Sequence, residues 1–201
     1  MGKLVLKTVA ITLAAVLSVC MILFGTLAIF APAKVANFFD KFGFYGPTVH
    51  YYEKQYGKSG EIEDLAVLIL KIDDESDSAK EKKYVEEMIN RADYSDYCVS
   101  VDNSNELSKI KTKEYYAGKY ATSLVRTNNF SQALTFAEDF IKKNTYSDYN
   151  PYGVIVAEIG ESLTLEQLSQ LKIKVSTYSY KDVAKADLSE IDRLISIKTA
   201  E

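Results

Sequence analysis

One histidine, two cysteines and a few clustered carboxylates are all that this sequence offers to catalysis. His50 lies between Val49 and Tyr51 in a tyrosine-rich stretch. A metal site, or a Ser/His or Cys/His pair, would have to use it, and neither cysteine is near it in sequence. It reads as a surface or structural histidine. Cys98, flanked by Tyr97 and Val99, reads as a small buried hydrophobe and not as a reactive thiol. No glycine-rich phosphate loop, G-x-S-x-G or C-x-x-C occurs. Asp73, Asp74, Glu75 and Asp77 resemble the opening of a calcium loop, but Ser78 and Tyr84 stand where its glycine and closing glutamate belong. The stretch reads as an inter-hairpin loop whose Asp and Ser cap the next helix. Glycoside chemistry needs two carboxyls about 5–9 Å apart; the pairs Glu86 with Glu87 and Glu158 with Glu161 are the candidates. No catalytic constellation, metal site or cofactor site emerges, and the chain reads as a non-enzyme.

Tyrosine is the remaining resource: there are 15, and no tryptophan. Tyr51, Tyr52, Tyr56, Tyr115, Tyr116 and Tyr120 recur at helical spacing, and most are expected to pack between helices. Tyr51, Tyr52, Tyr115 and Tyr116 form the candidate binding surface, because a rigid ring with a hydroxyl suits peptide or sugar contacts. The tetrapeptide YSDY occurs at 94–97 and again at 146–149, each copy a candidate helix start.

The element that positions everything else is the uncharged run from Thr8 to Ala33, between Lys7 and Lys34. It exceeds the roughly 20 apolar residues that a helix needs to cross a bilayer core. Leu13, Leu17, Ile22, Phe24 and Leu27 are expected to face lipid. Ala31-Pro32-Ala33 matches a cleavage site, but the run is longer than the apolar part of a cleaved signal peptide. Leu17-Ser18-Val19-Cys20 resembles a lipoprotein signature with Val19 at the small position. The reading is an uncleaved signal-anchor over 1–33. Lys3 and Lys7 balance Lys34 and Lys41, so the positive-inside bias is nearly flat. The short basic N-terminal tail favours an extracytoplasmic domain at the cell membrane. Ala10, Ala14 and Ser18 form a small-residue stripe through which two anchors could pair as a homo-oligomer.

The whole chain carries a net charge of −4, and with Lys3 and Lys7 before the anchor the remainder is more acidic still. Nucleic-acid binding, which needs clustered cations, is excluded. Cys20 lies in the apolar run, so no disulfide forms within the part that follows. That fits a cytosolic protein or a bacterial surface protein stabilised by its core.

Segment 34–46 is juxtamembrane. Val35, Phe38, Phe39 and Phe42 make an apolar helical face that either lies in the bilayer interface or caps the core. Residues 47–201 read as one helical domain. A first hairpin puts Val49, Tyr52 and Tyr56 on one face, then buries Ile62, Leu65, Ala66, Leu68 and Ile69. A second buries Tyr84, Val85, Met88 and Ile89 and continues through 94–101. A third buries Tyr116, Tyr120, Leu124 and Val125, then Phe130, Ala133, Leu134, Ala137, Phe140 and Ile141. The residues after the turns, Ile62, Tyr94 and Phe130, recur at about 34 residues. With Ala121 at the small position and Phe130, Ala133 and Leu134 opening the second helix, residues 44–144 resemble a degenerate tetratricopeptide repeat. Thr145 stands where its closing proline belongs. Beyond, 151–160 reads as a helix, and Thr164-Leu165-Glu166-Gln167 is a capping box before a helix with Leu165, Leu168 and Leu171 inward. Residues 173–180 alternate as if extended. Asp187 caps a last helix with Ile191, Leu194 and Ile195 inward, which closes the stack.

The resulting expectation is an all-α, single-pass membrane protein with stacked antiparallel hairpins. The resemblance implies a scaffold or accessory subunit that binds a protein or peptide, without cofactor. The alternative is an envelope carbohydrate-binding module or hydrolase using carboxylates and tyrosines.

Overall fold

The structure is a computed structural model and describes residues 2–104, 111–144, 150–177 and 181–200. All its regular elements among these residues are helical, and the chain divides into two compact units, 1–76 and 77–201. The helices expected to open the 47–201 domain thus group with the N-terminal segment.

In the first unit, α1 (Gly2–Phe30) contains a stretch, Lys7–Phe30, long and apolar enough to cross a membrane, with mean hydropathy 2.6 and no buried residue. The hydroxyls of Thr12, Ser18 and Thr26 donate to carbonyls one turn back, at 2.8–2.9 Å. These three hydroxyls therefore ask nothing of lipid. Leu13, Leu17, Ile22, Phe24 and Leu27 are all exposed. Pro32 breaks the helix as expected and opens α2 (Pro32–Lys41), where its missing N–H costs nothing. After Gly43, α3 (Tyr45–Ser59) carries Pro47 in its first turn and ends at Gly60, whose φ of 67° suits a residue without Cβ. In α4 (Ile62–Glu75), Leu65, Leu68, Ile69 and Ile72 are fully enclosed. α3 lies between α2 and α4, and Lys71 ties α4 to Asp40 of α2 at 2.9 Å.

The acidic loop is shorter than its sequence suggests. Asp73, Asp74 and Glu75 complete the last turn of α4, and Lys71 draws Asp74 into it at 3.6 Å. Asp77 caps the next helix as expected, accepting from the backbone of Ala79 and Lys80.

The second unit contains α5 (Ser78–Asn90), α6 (Tyr94–Ser104), α7 (Thr112–Arg126), α8 (Phe130–Lys143), α9 (Pro151–Ile159), a 3-10 turn (Gly160–Ser162), α10 (Leu165–Ser176) and α11 (Lys181–Ala200). Its hub is α7, packed by α5, α6, α8 and α9. Small residues let them approach: Ala117, Gly118, Ala121, Thr122 and Ser123 are all buried. The buried hydroxyls of Thr122 and Ser123 donate back into their own helix. α7 and α8 pair as the third hairpin predicts. α5 packs mainly on α7 and only slightly on α6, its expected partner. The YSDY copy at Tyr94 does begin a helix; the copy at 146–149 lies outside the described residues.

A charge is enclosed at the α5–α7 contact. Glu81 is only 3% exposed, with Arg126 at 3.4 Å and Lys119 at 3.7 Å; Arg126 also reaches Glu158 at 3.5 Å. The two cations are two turns apart on one face of α7, so they fix which residues of α5 meet which of α7.

The C-terminal elements correct three expectations. Thr164 and Gln167 form the capping box, but α10 runs to Ser176, so 173–176 are helical, and 178–180 lie outside the described residues. Leu165 is exposed, since Leu168, Leu171 and Val175 already fill the inward stripe. The last helix begins at Lys181, not at Asp187. Asp187 instead accepts from Asn150 at 2.7 Å, while the Asn150 side-chain oxygen accepts from the Tyr152 N–H and caps α9. The Asp187 carboxylate sits where a Cβ on Gly153 would stand 2.9 Å away, so a larger residue there would displace the Asp187 side chain.

Two tests follow from these ion pairs. Replacing Glu81 with Ala leaves two cations facing a buried surface, and the detergent-solubilised protein should lose about 2–3 kcal/mol in denaturant unfolding, because Lys119 and Arg126 retain partial access to water. Glu138 bridges α8 and α10: Lys142 at 2.7 Å and Lys174 at 2.5 Å hold its carboxyl down from 4.5 to about 2. A depressed acid stabilises the fold above its unfolded value and loses that contribution as pH falls through the folded one. Glu138→Gln should therefore flatten the decline in melting temperature between pH 4.5 and 2.

Candidate functional site

The second unit carries a groove of about 500 Å³ between α5, α7 and α8. Its floor is aromatic and small: Tyr94, Ala117, Tyr120, Phe136 and Phe140. Ala117 sets the depth, because a larger side chain on α7 would fill the space that α8 and α5 leave open. Phe136 meets Tyr120 edge-on at 4.8 Å between ring centres and Phe140 at 6.4 Å. The rim is polar, with Glu86, Asp139, Lys113 and Lys143, and with Gln132 and Thr135 exposed along α8. Two carboxylates and two ammonium groups balance, so the field selects no charged ligand. An apolar floor with a mixed polar rim suits a short stretch of polypeptide.

The floor hydroxyls are already engaged. Burial, and then the neighbouring Glu86 carboxylate that accepts from it, push the Tyr120 phenol up to about 12. Burial pushes Tyr94 and Tyr116 higher still, with Cys98 and Tyr97 as their respective partners. Cys98 is buried, as its neighbours imply, and burial raises its thiol.

The candidate tyrosines divide by depth. Tyr52 and Tyr116 are 7% and 3% exposed, and both are packing residues with no surface to present. Tyr52 donates to Asn37 at 2.8 Å, and Tyr116 lies edge-on to Tyr94 and Tyr115. Tyr51 and Tyr115 are half-buried: Tyr51 stacks on Phe39 with Lys54 over its ring, and Lys119 lies over Tyr115. None of the four lines the groove. Adjacent residues on a helix point about 100° apart, and here the inward member of each pair is the second. His50 is exposed, edge-on to Tyr51 at 5.3 Å.

Tyr120 and Phe140 belong to the expected stripes, but the α8 side of the groove is drawn largely from residues that stripe-reading leaves aside. Gln132, Phe136, Asp139 and Lys143 recur at four, three and four residues along the flank of α8 next to its core stripe. Phe136, one turn before Phe140, is the mark that this flank is not wholly solvated. Phenolic or cationic side chains meet the candidate carboxylates Glu86, Glu158 and Glu161. Glu86 is engaged by Tyr120, Glu158 by Arg126, and Glu161 faces Arg193. Among the described residues, no group of three or more His, Cys, Asp or Glu side chains is placed to hold a metal ion.

Compared with protein-family profiles, curated proteins and solved structures, the chain matches none.

The Glu86–Tyr120 contact is testable directly. Glu86→Gln removes a negative charge beside the phenol, so the Tyr120 midpoint should fall from about 12 toward, but not to, 10. Burial, the larger cause, remains. Carbon-13 NMR titration of ring-labelled tyrosine reads this shift.

Proposed function

We propose that this chain is a single-pass, membrane-anchored scaffold or accessory subunit whose second helical unit takes a segment of a partner protein in the α5–α7–α8 groove. The observation that carries this reading is the groove's make-up: an aromatic floor, a charge-balanced rim, and floor hydroxyls committed to the protein itself. Such a site offers buried area and rim hydrogen bonds, which polypeptide recognition uses. Ala121, Phe130, Ala133 and Leu134, the residues on which the resemblance to a helical repeat rests, are all buried. The anchor confines partner search to the membrane surface, which raises the effective concentration of any other membrane-bound component. The proposal places the helical units outside the cell membrane, with Lys3 and Lys7 on the cytoplasmic side.

The test uses the full chain in cells. A benzophenone amino acid at Gln132, on the groove rim, should crosslink to a discrete partner. Phe136→Asp, which puts a charge on the floor, should reduce that adduct at least several-fold without lowering the amount of protein in the membrane. Equal crosslinking with and without Phe136→Asp overturns the groove as the site. Protease added to intact cells should remove a C-terminal tag; protection until lysis overturns the sidedness.

A further inference from the structure

The first unit carries more aromatic surface than its core uses. On α2, Val35 and Ala36 are buried against α3, while Phe38, Phe42, Phe44 and Tyr45 at the α2–α3 corner are exposed, Phe42 by 63%. These rings are not scattered. Phe38 touches Phe42 at 5.1 Å and Phe39 at 5.7 Å between centres, and Phe44 touches Phe39 at 6.2 Å and Phe42 at 6.5 Å.

The cluster is continuous with the apolar helix. Phe39 lies edge-on to Phe24 of α1 at 6.1 Å, and Tyr51 meets the same ring at 6.4 Å. Phe24 is six residues before the end of α1, whereas Phe39 lies well along α2. α2 therefore folds back beside α1, by about 9 Å at 1.5 Å per residue. The exposed corner sits level with Phe24 and not with Phe30. At the opposite end of the unit, the Lys58 ammonium donates to the Phe30 carbonyl at 3.1 Å, an arrangement that belongs in water or among headgroups. Residues Lys7–Phe24 still span about 27 Å, close to the hydrocarbon thickness of a bilayer.

We infer that the membrane boundary lies at Phe24, and that Phe38, Phe42, Phe44 and Tyr45 form an aromatic lip seated in the headgroup–acyl boundary of the bilayer that α1 crosses. The inference rests on the anchor reading. Aromatic side chains favour this depth, and an amphipathic element buries its apolar face there. The charges around the lip fit. Asp40 is neutralised by Lys71, and Lys41 is exposed beside Phe42, free to reach phosphate. Glu75, against Gly46, with Asp73 and Asp74 makes this edge acidic overall. Insertion is thus driven by the rings and proceeds in zwitterionic lipid. The lip also fixes the depth at which the first unit is held.

The chain contains no tryptophan, so one introduced tryptophan is a sole reporter. Full-length Leu17→Trp, Phe42→Trp and Phe30→Trp variants would each be reconstituted in phosphatidylcholine vesicles carrying lipids brominated at defined acyl depths. The expected result is strong quenching of Leu17→Trp by deep bromines. Phe42→Trp should be quenched by shallow bromines, several-fold more than Phe30→Trp. If Leu17→Trp is quenched and Phe42→Trp is not, the lip is wrong and the anchor stands. If Phe30→Trp is quenched more deeply than Phe42→Trp, the span runs to the end of α1 and the boundary at Phe24 is overturned. If Leu17→Trp is not quenched, the anchor itself fails and the lip with it.

Discussion

The enclosed carboxylate of Glu81 is the constraint on which the second unit depends. An acid placed between two helices is costly unless cations meet it, and α7 supplies two, Lys119 and Arg126, on one face. A shift of α5 by one residue would turn Glu81 away from both. The register of α5 on α7 is set by this requirement as much as by apolar packing. The groove inherits that register: Glu86 and Ile89 of α5 stand over Ala117 and Tyr120 of α7 because Glu81 stands between Lys119 and Arg126. The close approach this demands is possible because α7 is lined with small residues where other helices cross it.

How much of this was legible in the sequence depends on whether a feature is local. The apolar run of α1 is continuous in sequence, and the break at Pro32, the Thr164–Gln167 box and the cap at Asp77 each involve residues within one turn; each of these reads correctly. So do the stripes of α4 and α8, where one face is apolar enough to leave no choice. Features that depend on distant partners do not read. The Asp187 side chain has the chemistry of a helix cap, but Asn150, far away in the chain, draws it elsewhere. Alternation over 173–176 is overridden because Val175 completes a helical stripe with Leu168 and Leu171. In Tyr51-Tyr52 and Tyr115-Tyr116, the pairs alone cannot say which ring goes inward. Glu81 is one acidic residue in a charged stretch until α7 is folded against it, and the groove needs three helices before it exists.

Tyrosine plays the part in this protein that tryptophan and leucine often share. Its ring fills core volume, and its hydroxyl must find an acceptor or donor inside. Four interior cases have done so: Tyr52 with Asn37, Tyr94 with Cys98 and the Lys113 carbonyl, Tyr116 with Tyr97, Tyr120 with Glu86. These contacts join helices that apolar packing alone would leave free to slide, since a hydroxyl stripped of its partner in a dry interior is costly. They also leave the core sensitive to alkali, because a phenol that ionises harder when folded than when unfolded weakens the fold as pH rises above 10.

The two halves of α2 show how one short helix can serve two solvents. Val35 and Ala36 face α3 and are lost from the surface, as any core residue would be. Phe38 and Phe42, on another face of the same helix, are left out of the core, yet they are joined ring to ring with Phe39 and thence with Phe24 of the apolar helix. In a purely aqueous protein that surplus would promote association. Beside an apolar helix none of whose residues is buried, it has a natural solvent on the anchor reading. The fold-back at Ala31-Pro32 makes this geometry possible: without it, α2 would lead away from α1 and its outer rings would end up in water. A proline that merely ends a helix in the sequence thus brings the outer rings of α2 alongside the apolar helix.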